Sequence, residues 1–265
     1  MKRALFLSLL FLLGGCVTFE VKDDHFFIPG PAARPTPIPN AEEVRLGELG
    51  GARVLAPDAQ VEILYFGGNA SRVDDYGAFL VRALAPLRAN VTMFDYRGYG
   101  RSGGTPSIET VRSDALALYD LVRERAGDRR LIVHGVSLGS FIAAHIAAHR
   151  PVDGLVLEAT APDVRSWGTR QIPWYAKPFV RLKIAPALLE ISNAAAVRSY
   201  TGPLFLLTGA EDTVTPPEFA HALYAASQSD VKRVLIVRGA GHGDALAFPR
   251  AVEEYAAFVR PRGRR

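Results

Sequence analysis

A serine hydroxyl is a weak nucleophile until a neighbouring base takes its proton, so a reactive serine needs a histidine within reach and a carboxylate behind it. The string Gly135-Val136-Ser137-Leu138-Gly139 carries such a serine between glycines, directly after a β-rich run at 131–134 and before an apolar segment with Phe141, Ile142, Ala144, Ile146 and Ala147. A G-x-S-x-G string at a strand-to-helix turn holds its serine in a strained conformation with the hydroxyl exposed. The flanking glycines let neighbouring backbone approach without a Cβ, and the helix N-terminus behind the serine favours developing negative charge. Further on, Gly209-Ala210-Glu211-Asp212 follows an apolar run, and Gly239-Ala240-Gly241-His242-Gly243-Asp244 follows the next. The order serine, acid, histidine makes Ser137 the expected nucleophile, His242 the base that takes and returns its proton, and Asp212 the group that fixes the imidazole tautomer. An oxyanion needs two backbone donors. The Leu138 N–H, next to the nucleophile, supplies one, and the loop Gly67-Gly68-Asn69-Ala70 is expected to supply the other.

These groups meet only if the chain brings several strand ends to one edge. Short apolar runs rich in β-formers recur at 52–56, 61–66, 91–94, 131–134, 155–158, 204–208 and 234–237, separated by segments of helical period at 74–88, 108–124, 217–226 and 245–259. Alternation of this kind, with strands apolar on both faces, predicts an α/β fold: a mostly parallel central sheet with helices on both faces. The earliest strands lie close together in sequence and are expected to be antiparallel. Functional side chains of such sheets gather at the carboxyl ends of the strands, where Ser137, Asp212 and His242 all fall. With 49% hydrophobic residues among 265 and one cysteine, the chain can bury a large core, and neither whole-chain disorder nor a disulfide framework fits. The net charge of +4 draws on residues near the two ends, Lys2 and Arg3, then Arg260, Arg262, Arg264 and Arg265, with no basic stripe between, so nucleic acid is not expected as a partner.

Taken together, Leu64-Tyr65-Phe66-Gly67-Gly68-Asn69-Ala70, Asp95-Tyr96-Arg97-Gly98-Tyr99-Gly100-Arg101-Ser102, the serine turn, and the Asp212 and His242 loops resemble the α/β-hydrolase superfamily over about 200 residues, 61–259. The pattern is similar to that of lysophospholipase-like, monoacylglycerol-lipase-like and serine-aminopeptidase-like chains. The resemblance implies Ser137 as nucleophile, Asp212 as acid, His242 as base, and Leu138 with Asn69 as the oxyanion donors, and it implies no cofactor. Where the family usually has a histidine, this sequence has Gly67, which leaves Gly68 and Ala70 beside Asn69 as candidates for the second donor. Some superfamily members place the acid earlier, where Asp163 lies, but the Asp212 loop matches the usual acid-bearing turn. Arg97 and Arg101 are expected in salt bridges rather than catalysis. His145 and His149 stand i, i+4 on a helix but lack an intervening glutamate and a third ligand, so no metal site is assigned to them.

The first residues read as an address. Met1-Lys2-Arg3, an apolar run of about ten residues and Leu13-Gly14-Gly15-Cys16 have the layout of a secretory signal, too short to span a bilayer as a helix. The last four resemble a bacterial lipobox. Residues 1–15 are thus the expected signal peptide and Cys16 the expected site of acylation. The lipid would anchor the protein in the cell envelope, and Val17 favours the outer membrane, facing the periplasm. Five of the 18 prolines fall within 29–39, so 16–43 reads as an extended tether or edge arm before a hydrolase domain over 44–265. Within that domain, the resemblance implies a lid over 159–202, here a small helical apolar cover bearing Trp167, Trp174, Tyr175 and Phe179. An apolar cover above a nucleophilic serine points to a small-molecule acyl ester as substrate and to an esterase or lipase-like activity. A peptidase or amidase, and an envelope lipoprotein keeping the shell as a binding module, are the competing readings.

Overall fold

The structure, a computed structural model, describes residues 17–22 and 26–260; the 1–15 segment, Cys16 and Arg262, Arg264 and Arg265 lie outside the described residues. The chain runs through β1 (Val17–Val21), β2 (Ala41–Leu46), β3 (Leu49–Val54), β4 (Val61–Phe66), α1 (Val73–Leu84), β5 (Asn90–Phe94), α2 (Ile108–Ala126) and β6 (Arg130–Val136). It continues through α3 (Leu138–His149), β7 (Gly154–Glu158), α4 (Val164–Gln171), β8 (Val180–Ile184), α5 (Pro186–Leu189) and α6 (Asn193–Ser199). The last elements are β9 (Leu204–Gly209), α7 (Pro217–Ala226), β10 (Lys232–Val237) and α8 (Pro249–Val259). One sheet has the strand order β10-β9-β7-β6-β4-β5-β3-β2. Its pairings are parallel from β10 to β5, while β3 runs antiparallel to both β5 and β2. This is the expected α/β architecture, with the expected antiparallel start.

The reason for the apolar runs is visible in β4, where all six residues are buried. Leu64 and Phe66 pack with the apolar side chains of α2 and α3, whereas Ile63 and Tyr65 pack with those of α1 and α8. A strand covered on both faces has no solvent side on which to place a polar alternation. Proline sets several helix ends. The expected helix over 245–259 is split: Ala245–Ala247 forms a short 3-10 turn and α8 starts afresh at Pro249, whose missing N–H costs nothing in a first turn. Ser107 and Thr110 start α2 with a reciprocal capping box.

Three strands lay outside the sequence expectation: β2, β1 and β8. The last two form a separate parallel pair, with Phe19 opposite Leu182, so the 159–202 segment contains a strand besides its helices. The segment after β1 is also fastened. Gly30 N–H donates to Gly98 O and Gly100 N–H to Gly30 O, while Ala33 and Arg34 N–H donate to the Asp75 carboxylate. Phe26, Phe27 and Ile38 are buried. This stretch thus lies across the body. Arg97 is paired with Asp114 and Glu48, and Arg101 with Asp74, so both guanidinium groups hold loops together.

Candidate active site

Ser137 sits between β6 and α3 with φ of +54° and ψ of −113°, a left-side conformation costly for any residue with a Cβ. The turn closes this tightly because a Cβ on Gly135 would lie 1.9 Å from Gly139 O, and one on Gly139 would lie 2.2 Å from Phe66 O. The Ser137 N–H donates to Glu158 O on β7, which stitches the turn to the neighbouring strand.

His242 Nε2 lies 2.9 Å from Ser137 Oγ and His242 Nδ1 lies 2.9 Å from Asp212 Oδ2. The two loops bearing acid and base are clasped to each other. Glu211 N–H donates to Ala240 O, and Gly209 passes so near that a Cβ there would come within 2.2 Å of both Ala240 O and Gly241 O. Asp212 is buried, and its carboxylate is fully engaged: Oδ1 accepts from the Val214 and Thr215 N–H groups, and Oδ2 accepts from Thr215 Oγ1 as well as facing the imidazole. Burial alone would raise its pKa, but the hydrogen bonds from His242 and Thr215 outweigh it and hold the carboxyl below the ordinary aspartate value. The acid is therefore an anion at neutral pH, oriented from both oxygens.

Neither the Leu138 N–H nor the N–H groups of Gly68, Asn69 and Ala70 are taken by an acceptor among the described residues, so each remains available to a ligand oxygen. Gly68 lies against the serine, since a Cβ there would meet Ser137 Cβ at 3.5 Å. The Asn69 side chain is tied to the arm. Its Oδ1 accepts from Ile28 N–H and from Tyr99 Oη, fixing the loop to the arm.

The serine opens on a cavity of about 420 Å³ walled by Phe26, Leu138, Phe141, Val164 and Trp167, with Thr215 and His242 on the polar side. Phe26 was not singled out from sequence. It stands edge-on to Trp167 at 6.2 Å and tilted to Phe141 at 6.4 Å, so the arm supplies one wall of the site. The only signal was an aromatic pair, Phe26-Phe27, ahead of the prolines. The aromatics of 159–202 do not act together: Trp167 lines the cavity, whereas Trp174 is 82% exposed.

The remaining candidates stand apart. Asp163 caps α4, accepting from Ser166 N–H, and makes no contact with His242. His149 Nδ1 is 2.8 Å from His145 O and the two rings lie 4.3 Å apart; among the described residues no third side chain joins them in a group able to hold a metal ion.

Comparison with known proteins gives a family match over residues 57–193, just over half of the chain, to the family described as Serine aminopeptidase, S33. An uncharacterized protein of Mycobacterium tuberculosis is 28% identical over 244 residues, covering 87% of this chain and 84% of that protein. The lysophosphatidylserine lipase ABHD12 of Macaca fascicularis is 31% identical over 177 residues, 62% of this chain; the chain spans only 44% of that lipase. Among solved structures, the Pyrococcus furiosus esterase Pf2001 superposes with a TM-score of 0.70 at 18% identity, covering 88% of this chain and 97% of that one. A soluble variant of the Saccharomyces cerevisiae monoglyceride lipase does so at 0.63 and 16%, covering 88% and 98%. At these identities the solved structures establish the α/β-hydrolase fold.

Proposed function

The chain belongs to the serine aminopeptidase S33 family of α/β-hydrolase-fold hydrolases, and from that premise we propose that it is a serine carboxylic-ester hydrolase with Ser137 as nucleophile, His242 as base and Asp212 as orienting acid. The observation that carries this reading is the unbroken line of contacts from Ser137 Oγ to His242 Nε2 and from His242 Nδ1 to Asp212, facing an apolar cavity. In the reaction, Ser137 Oγ bonds to the ester carbonyl carbon as His242 Nε2 takes its proton. The carbonyl oxygen, now negative, accepts from Leu138 N–H and from the 67–70 loop, with Asn69 the favoured donor there. His242 then protonates the departing alkoxide, leaving an acyl-enzyme. Water gives a proton to His242 and its oxygen to the acyl carbon, releasing the acid and restoring Ser137. Asp212 stays ionised throughout and stabilises the imidazolium.

The family's description favours a second reading, an amide- or peptide-cleaving enzyme. Ester cleavage is preferred because no carboxylate among the described residues lines the cavity, so a peptide's ammonium group would find no partner there. Acyl esters of graded chain length assayed beside aminoacyl amides separate the two. A fluorophosphonate probe should label Ser137, and Ser137→Ala should abolish both labelling and hydrolysis; a Ser137→Ala protein with full ester hydrolysis would overturn the assignment. The same proposal places acylated Cys16 at the mature N-terminus and the enzyme on the periplasmic side of the outer membrane, with Leu13-Gly14-Gly15-Cys16 as its support. Mass spectrometry of the N-terminus tests it, and an unmodified Cys16 would remove the anchor while leaving the hydrolase reading intact.

A further inference from the structure

We infer that a second cavity, on the far side of Leu138 and Phe141 from the serine, receives the distal part of a long acyl chain, making long-chain esters the preferred substrates; this rests on the ester-hydrolase reading above. The cavity holds about 240 Å³ and lies between α2, α3 and α6. Independent small-molecule sites run from roughly 300 to 1,000 Å³. At 240 Å³ this one falls short of that range, but it fits an extension of the 420 Å³ cavity beside it. Leu138 and Phe141 line both, so the two cavities adjoin at these side chains.

The floor of the second cavity follows one stripe of α3. Leu138, Phe141, Ile142 and His145 succeed one another at i, i+3, i+4 and i+7, a row that begins at the residue after the nucleophile. At ~1.5 Å per residue that stripe extends roughly 10 Å from the serine turn, a distance that only the tail of a long acyl group covers. Ile108, Val111 and Ile191 complete apolar walls.

The polar groups at the rim are engaged with one another. Arg112 Nη1 is 3.1 Å from Glu190 Oε2, His149 Nδ1 is 2.8 Å from His145 O, and Ser192 Oγ accepts from Ala195 N–H as the cap of α6. Burial, with the charges of His149 and Arg112 nearby, pushes His145 down to about 4, so its imidazole is uncharged at neutral pH. Rim groups paired in this way offer little to an ionic headgroup, and the apolar walls suit hydrocarbon.

Filling the cavity tests the assignment. Ala196, buried on α6, lines it, as does Ala195, exposed at its edge. Ala196→Leu reduces the space from inside; Ala195→Trp covers the mouth from a position where a large side chain does not strain the core. Each variant with the parent's thermal midpoint is assayed on acetyl and hexadecanoyl esters of one alcohol. The expected result is a fall of about tenfold or more in the hexadecanoyl-to-acetyl ratio of kcat/KM, with acetyl ester hydrolysis unchanged. A folded variant that keeps the parental ratio, or loses both activities in proportion, overturns the second cavity as an acyl site. A parent that cleaves neither ester overturns the ester-hydrolase reading on which it rests.

Discussion

At the scale of single residues, Asp212 illustrates how much of a site's energetics is set by hydrogen bonds to one carboxylate. Burial works against its charge, and the donors around it win, so its folded pKa lies below the unfolded value. A depressed carboxyl stabilises the fold above its unfolded pKa, ~3.9 for aspartate, and that contribution drains away as pH falls through the folded value. Asp212→Asn should therefore be less stable than the parent at neutral pH, with the gap closing below about pH 4; chemical denaturation at a series of pH values measures it, and a gap independent of pH would count against the assignment. The same variant should retain the fold while losing most ester hydrolysis, because the imidazole is then held in the wrong tautomer. Phe26 acts on size rather than charge. Phe26→Ala should shift acyl preference toward bulkier groups near the scissile carbonyl. Its cost in stability should fall below the roughly 3–5 kcal/mol of a fully packed phenylalanine, because one side of the ring already faces the cavity.

Elements place these residues, and what the sequence carries about them differs from one to the next. β4, β6, β7 and β9 are legible as unbroken apolar runs because both faces of each are covered, and the serine turn is legible because only glycine fits at Gly135 and Gly139. β2 and the β1–β8 pair are not: β2 is an edge strand, and Val17, Phe19, Arg181 and Lys183 are exposed, so neither apolar pattern nor turn chemistry marks them. They form because a partner from far along the chain is present, which no local window contains. Glu158 is a further case, a charged residue within an apolar strand whose purpose appears only in three dimensions. Its backbone oxygen accepts from Ser137 N–H, and its side-chain Oε1 accepts from Ala245 N–H, just past His242. Its Oε2 lies 3.2 Å from His134 Nε2, out of line for a hydrogen bond, deep beneath the sheet edge. One residue thus ties the serine turn and the histidine loop together. Glu158→Ala leaves a buried N–H unpaired, at a cost of about 1–3 kcal/mol, and should lower kcat with little change in KM as His242 loses its register. Glu158→Gln keeps an acceptor and should restore most of kcat; equal losses in the two variants would show that charge rather than position matters.

For the whole molecule, the segment preceding the sheet is part of the machine. Its β1 pairs with β8 of the 159–202 segment, its Phe26 walls the cavity, and its residues 28–34 grip the Asn69 loop and the first turn of α1 at Asp75. Arg72 is the rivet. Buried, with its guanidinium 4.9 Å from the centre of the Tyr99 ring, it donates to Ile28 O and Gly30 O on the arm and to Ala70 O in the loop that faces Ser137. A planar fork reaching three carbonyls has no equivalent in an ammonium group, so Arg72→Lys should recover only part of what Arg72→Leu loses. Because the arm gives only Val21, Phe26, Phe27 and Ile38 to cores built chiefly from the sheet strands and their helices, Arg72→Leu should loosen the arm before it unfolds the body. Limited proteolysis should then cut between residues 28 and 38 in the variant and leave the remainder resistant, while kcat/KM for esters falls through both the displaced Phe26 wall and the freed 67–70 loop. If arm and loop act through one clamp, Phe26→Ala added to Arg72→Leu should cost less than the two changes summed. Additive losses, or an arm as protease-resistant in Arg72→Leu as in the parent, would show that the arm is held without Arg72.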